Sequence, residues 1–344
     1  MFRNVKLWAW SAVVAALWAA PAMAGGLSIT IESEKTFVAD AEPAVVRVTL
    51  RNDGAQELSV LRWQTPLEGM QSNLFEVLLD GRPVAYTGRL YKRAEPTAAD
   101  YLRLAPGTSA TVEVDLSRFY DLSRTGEYAV SYRFPEIASN VLHLAVERGE
   151  RSRALQALAA AAKPQPRRVT GTTLDPEYVS CSGSDRSQIV DALDGTEYLS
   201  AVAFDYLYKI PVNKRKKSTA YKTWFGRYTA PRYNRVLQVY ANVFTVSHDY
   251  TVTFYCDCDE EDVYAWVYPD EPFHVHLCPL FWESPTIGTD SQAGTLIHEI
   301  SHFDIVAGND DYTYGQSSCK RLASKDPNRA VYNADNYEYF AETR

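Results

Sequence analysis

Histidine is scarce in this chain, with six among 344 residues, and cysteine is scarcer, with five and none before Cys181. That gap excludes a disulfide framework from the first half, which must be held by burying apolar surface instead. After the amino-terminal segment no apolar run approaches the roughly 20 residues needed to span a bilayer, so the rest of the chain has no expected membrane anchor. Basic clusters are also few. Lys214-Arg215-Lys216-Lys217 reads as a solvated loop, and the formal net charge is −8, so no nucleic-acid partner is expected. No internal repeat stands out. Between Gly25 and Val146 lysine itself is rare, confined to Lys35 and Lys92.

Against that scarcity, His298-Glu299-Ile300-Ser301-His302 is conspicuous. With so few histidines, an accidental H-E-x-x-H is expected in about one chain in a hundred. Leu296, Ile297, Ile300, Phe303 and Ile305 supply apolar helix positions around it, and Thr289-Asp290-Ser291-Gln292 offers a cap with Gln three positions on. On a helix, residues four apart share a face, so both imidazoles can reach one Zn²⁺. Glu299 would then flank the metal, placed to take a proton from water and pass it to a leaving amine. Gly308-Asn309-Asp310-Asp311 follows, and a helix ending at Gly would turn the chain back toward the metal. Either aspartate is an adequate third ligand.

The chain here resembles the deuterolysin and peptidyl-Lys metalloendopeptidase family of zinc proteases, the aspzincins. The resemblance rests on H-E-x-x-H-F at His298 to Phe303, G-x-x-D-x-x-Y-G at Gly308 to Gly315, and N-A-D-N-x-E-Y-F-A-E at Asn333 to Glu342. It implies one catalytic Zn²⁺ held by His298, His302 and Asp311, with Glu299 as the general base and Tyr314 stabilising the oxyanion. One departure is Asn309, where the family usually has Thr; asparagine makes similar local hydrogen bonds. The resemblance also implies that Asp335 and Glu338 form an acidic S1′ pocket for lysine, although Asp335 could merely cap a short helix. It implies disulfides Cys181–Cys256 and Cys258–Cys278, leaving Cys319 free. His274 and His276 read as ordinary strand alternation rather than a second metal site.

Domain organisation is expected as follows. Residues 1–24 carry Arg3 and Lys6, an apolar Leu7 to Ala20 core and Ala22-Met23-Ala24, a signal peptide for secretion. Residues 25–146 alternate apolar and polar in short stretches at Leu27 to Ile31, Ala44 to Leu50, Leu74 to Leu79, Ala110 to Leu116 and Tyr128 to Phe134. This implies an all-β sandwich of immunoglobulin-like type. Its segment from Tyr86 to Gly107 resembles the pro-region of secreted aspzincins. Residues 147–168 form a connector, Ala-rich from Ala154 to Ala162, that ends in an exposed Lys163-Pro164-Gln165-Pro166-Arg167-Arg168 processing site. Residues 169–344, which hold the excess negative charge, would form an α+β zincin-like metalloprotease domain. The expected protein is therefore multi-domain: a monomeric, secreted zinc metalloendopeptidase made as a zymogen. Its substrates would be proteins and peptides cut with Lys at P1′, its own pro-domain would be the inhibitor, and Lys92 is the candidate to enter the S1′ pocket. A broad-specificity deuterolysin-like protease and a secreted zinc-containing adhesin are the alternatives.

Overall fold

The computed structural model describes residues 26–344 except 41, 134–136, 138 and 169–175. The expected signal segment 1–24, Phe134 and the stretch just after Arg168 lie outside the described residues. In the first half, apolar residues at every second position face one way when the chain is extended, and strands form close to where that alternation places them. Leu27–Glu32, Val45–Asn52 and Ser109–Asp115 make one antiparallel sheet, with Val45–Asn52 in the centre. A second sheet runs in the order Phe37–Val38, Leu142–Val146, Gly126–Tyr132, Phe75–Leu79 and Arg82–Pro83. Ile31, Val46, Val48 and Leu50 of the first sheet meet Val77, Tyr128, Val130 and Leu144 of the second in one apolar cluster.

The second half has its own core. Helices Gly183–Tyr208 and Ala230–Asp249 pack beside a mixed sheet of Glu177–Val179, Thr253–Tyr255, His274–Leu277 and Val263–Val267, burying Leu193, Tyr240, Phe254, Val275 and Leu296 together. Ser182 starts the longer helix through a capping box with Asp185. Disulfides join Cys181 to Cys256 and Cys258 to Cys278 across separations of 75 and 20 residues, and Cys319 is a buried free thiol. Closing loops of such lengths restricts the unfolded chain by about 3 to 4.5 kcal/mol each.

A fifth strand completes that sheet, and it comes from the first half. Leu90–Arg93 lies antiparallel to Val263–Val267, with Leu90 opposite Val267, Tyr91 opposite Trp266 and Lys92 opposite Ala265. All four of its residues are buried, an unusual state for a Lys-Arg pair. An edge strand offers unpaired backbone N–H and C=O groups, so any extended segment that reaches it can be accommodated. The connector contains a 13-residue helix, Glu150–Ala162, with an open alanine face. Lys163 then pairs with Asp270, and Arg167 and Arg168 pair with Glu177 and Asp249. Among the described residues no helix is long and apolar enough to cross a membrane.

Candidate active site

The motif lies on the helix Gln292–His302, all eleven residues of which are buried. Its cap is Ser291, whose hydroxyl accepts from Gly294 N at 2.9 Å, rather than the box expected from Thr289 and Gln292. Ser291 prevails because Glu342 accepts from its backbone N–H and hydroxyl at 2.9 and 2.8 Å, fixing it at the helix entrance. Gly294 leaves room for that carboxylate: a Cβ would fall 2.2 Å from a Glu342 oxygen and displace it from Ser291. The helix also stops at His302, short of the exposed Ile305 that the apolar pattern had included. It stops because the chain doubles back, with Asn309 N bonding to Ser301 O and the Asn309 carbonyl lying 2.9 Å from His302 Nδ1. That contact turns His302 Nε2 the other way.

Turning back brings Asp311, not Asp310, to the histidines. Asp311 Oδ1 is 3.2 Å from His298 Nε2 and Oδ2 is 3.3 Å from His302 Nε2. Asp310 faces the first half instead, bonded to Arg133 at 2.6 Å and to Asn73 at 2.9 Å. Both imidazole Nε2 atoms, Asp311 Oδ1, both Glu299 oxygens and the Tyr314 hydroxyl are buried without hydrogen-bond partners. Buried polar atoms are rarely left so, and two imidazole nitrogens converging with a carboxylate oxygen form a donor set suited to zinc. The residues present therefore fit a Zn²⁺ ion. Burial pushes the Glu299 carboxyl up to about 7, near the value that suits a proton carrier at neutral pH. Burial also raises the Tyr314 phenol well above its ordinary range, keeping it a donor. Tyr314 stacks along His298, ring centroids 6.4 Å apart, and Trp63 of the first half closes over it edge-on at 5.9 Å.

Behind His298 lies a second acidic group. Asp335 Oδ1 is 2.8 Å from His298 Nδ1, and Glu338 Oε2 is 3.5 Å away. Into this group comes Lys92, fully buried, its Nζ 3.1 Å from Asp335, 2.9 Å from Glu338 and 3.5 Å from Asp290. His298, Asp335 and Glu338 could by geometry hold an ion themselves, but the ammonium already compensates those carboxylates. Burial pushes Asp335 up, yet Lys92 and His298 outweigh it and hold the carboxyl below the usual aspartate range. Asp335 does not cap its helix; the N-cap is Asn333. Alongside, Tyr91 N donates to Asp311 Oδ2 at 3.1 Å, so the inserted strand touches the histidine–aspartate cluster through its backbone as well.

Several contributors were given no role by the sequence reading. Asp290, with its backbone in the left-handed region at φ 51°, accepts from the Tyr339 hydroxyl at 2.6 Å and lines the lysine pocket. Tyr339 and Tyr264 place ring centroids 4.9 and 5.5 Å from Lys92 Nζ. Asn333 Oδ1 accepts from Tyr312 N and Thr313 N, holding the loop between Asp311 and Tyr314. Gly315, at φ 82°, donates to Asp335 Oδ2 at 2.8 Å, and Glu95 packs where a Cβ would stand. His274 and His276 form no metal-binding group among the described residues; His276 is stacked between Trp266 and Tyr255.

A buried histidine–histidine–aspartate cluster beside a glutamate and a free phenol is the chemistry of a metallopeptidase. Residues 212–342 match the aspzincin profile described as lysine-specific metallo-endopeptidase. An extracellular protease of Aeromonas hydrophila is 36% identical over 348 residues, spanning 96% of this chain and 96% of its own. A peptidyl-Lys metalloendopeptidase of Armillaria mellea is 34% identical, spanning 93% of this chain and 92% of its own. A solved zinc peptidase of Grifola frondosa is 42% identical, covering 47% of this chain and 97% of its own at a TM-score of 0.45. The chain belongs to the aspzincin family and is a zinc metalloendopeptidase.

Proposed function

We propose that this protein is a secreted zymogen whose mature form cuts peptide bonds on the amino side of lysine. Residues 1–24 serve as the signal peptide, 25–146 as an immunoglobulin-like pro-domain, 147–168 as the connector that is processed, and 169–344 as the peptidase. His298, His302 and Asp311 hold one Zn²⁺, which when bound polarises the scissile carbonyl and makes water more acidic. Glu299 takes the proton of the attacking water and delivers it to the departing amine. Tyr314 donates a hydrogen bond to the tetrahedral oxyanion. Asp335 and Glu338 receive the lysine ammonium at P1′, and Asp335 also orients His298 through Nδ1.

The observation that carries this reading is Lys92, buried between Asp335 and Glu338 on a strand added to the sheet edge beside Glu299 and Asp311. A segment bound in that way occupies the place of a substrate, with Lys92 at P1′ and Tyr91 at P1, and blocks entry of any other. Lysine is preferred because its compact ammonium suits a closed acidic pocket, whereas a planar guanidinium is larger. The test is a P1′ profile of the active enzyme on a peptide library with zinc in excess. Lysine should dominate with arginine second, and Asp335→Asn combined with Glu338→Gln should flatten the profile. An unchanged profile in that double variant would remove the pocket assignment.

A further inference from the structure

Just upstream of the inserted strand, Arg89 occupies a site that the metal chemistry does not use. Its guanidinium carbon lies 3.9 Å from the centroid of the Trp266 ring and 5.9 Å from that of Tyr268. Arg89 Nε donates to the Tyr268 hydroxyl at 3.2 Å and Nη1 to Glu260 at 3.1 Å. All three hosts belong to the second half of the chain and keep their places by contacts of their own. Trp266 is stacked on His276 with ring centroids 3.5 Å apart and planes 5° from parallel, and His276 is stacked in turn on Tyr255 at 4.3 Å. Burial lowers His276 to about 4, so the middle ring of this stack is neutral and does not repel a cation above it. The turn carrying Glu260 is fastened by the Cys258–Cys278 disulfide and by the Val263 N–H to Glu260 carbonyl bond at 3.2 Å.

We propose that Trp266, Tyr268 and Glu260 form a subsite that selects arginine at the third residue before the cleaved bond, P3, so that the enzyme favours Arg-x-x-Lys segments cut before the lysine. The inference rests on the reading of Lys92 as a P1′ mimic, since that register makes Tyr91 P1, Leu90 P2 and Arg89 P3. When the inserted strand leaves, an indole face and a fixed carboxylate remain with no guanidinium on them. A flat aromatic face flanked by a phenol and a carboxylate suits a guanidinium, which stacks through its plane while donating in two directions. A lysine ammonium can do only one of these well. Alternation along the bound strand sends the P2 side chain to the opposite face, while the P1 residue Tyr91 shares the face of Arg89 and packs in one cluster with Trp266.

The test compares quenched-fluorescence peptides that share a central lysine and differ only at P3, cleaved by the active zinc-loaded enzyme. Arginine at P3 should raise kcat/KM over alanine by about tenfold, with lysine between them and glutamate lowest. Glu260→Lys should reverse the order of the arginine and glutamate peptides, and Trp266→Leu should shrink the arginine advantage severalfold. Glu260 lies at a partly exposed turn, so its variant is expected to fold even if the tryptophan variant does not. Lysine preference at P1′ should be unaltered in both. Equal kcat/KM for the arginine and alanine peptides while P1′ lysine selection is intact would overturn this inference alone. Loss of P1′ selection in the wild-type enzyme would overturn the underlying register as well.

Discussion

Replacing Lys92 by methionine keeps most of the side chain's volume and removes its charge, which isolates the ammonium's contribution to the proposed inhibition. In the folded chain Lys92 Nζ sits 2.9 and 3.1 Å from two carboxylates that have no exposure of their own. Seating a methionine there would bury both carboxylates beside a neutral thioether. Breaking one partner of a buried ion pair costs about 3 to 5 kcal/mol. At 1.4 kcal/mol per tenfold, the lower figure corresponds to a loss of roughly 100-fold in affinity. Each half of the chain has a separate apolar core, so cutting the connector should leave two folded parts whose association can be measured. Inhibition of peptide cleavage by the first part would be titrated for the wild-type, Lys92→Met and Lys92→Arg forms. The methionine form should inhibit at least about 100-fold more weakly, with arginine intermediate because it retains charge in a pocket too small for it. Indistinguishable inhibition constants would refute the reasoning. Backbone pairing with Val263–Val267 and the cover of Trp63 over Tyr314 would then be sufficient on their own.

Glu299→Ala should bind one equivalent of zinc yet lose nearly all peptidase activity, as metal analysis and turnover on casein would show. Asp311→Ala should lose the metal, whereas Asp310→Ala should retain it; the opposite result would reverse the assignment of the third ligand. Because Asp310 is engaged by Arg133 and Asn73 of the first half, Arg133→Ala should weaken association of the cut parts by tenfold or more without changing kcat/KM of the free peptidase. Chelation should abolish activity but leave the cut parts associated on gel filtration, since Lys92, Arg133 and the inserted strand are held by protein groups alone.

Local features carried the chemistry of this chain into plain view. The spacing of His298, Glu299 and His302 implies a shared helical face, because any α-helix stacks residues four apart. Alternation around Val46, Val48 and Leu50 or Tyr128 and Val130 likewise implies strands with one buried face. Boundaries were less legible where distant groups competed: Glu342 chose Ser291 as the cap, and the return of Asn309 ended the helix at His302. Between Asp310 and Asp311 the residue chemistry had no preference. The loop's path decided which carboxylate faces the imidazoles and which faces Arg133.

What the sequence by itself determined, then, was a set of candidate reacting groups and the periodicities that place them on elements, both consequences of bonds within a few residues. Only the tertiary structure decided where the Leu90–Arg93 strand pairs, and that Asp290, Tyr264, Tyr339 and Trp63 belong to the site. The physical reason is that an extended segment will pair with any open sheet edge and an acidic pair will accept any cation. Such choices depend on which surfaces the two cores bring within reach of each other, and no local pattern records that.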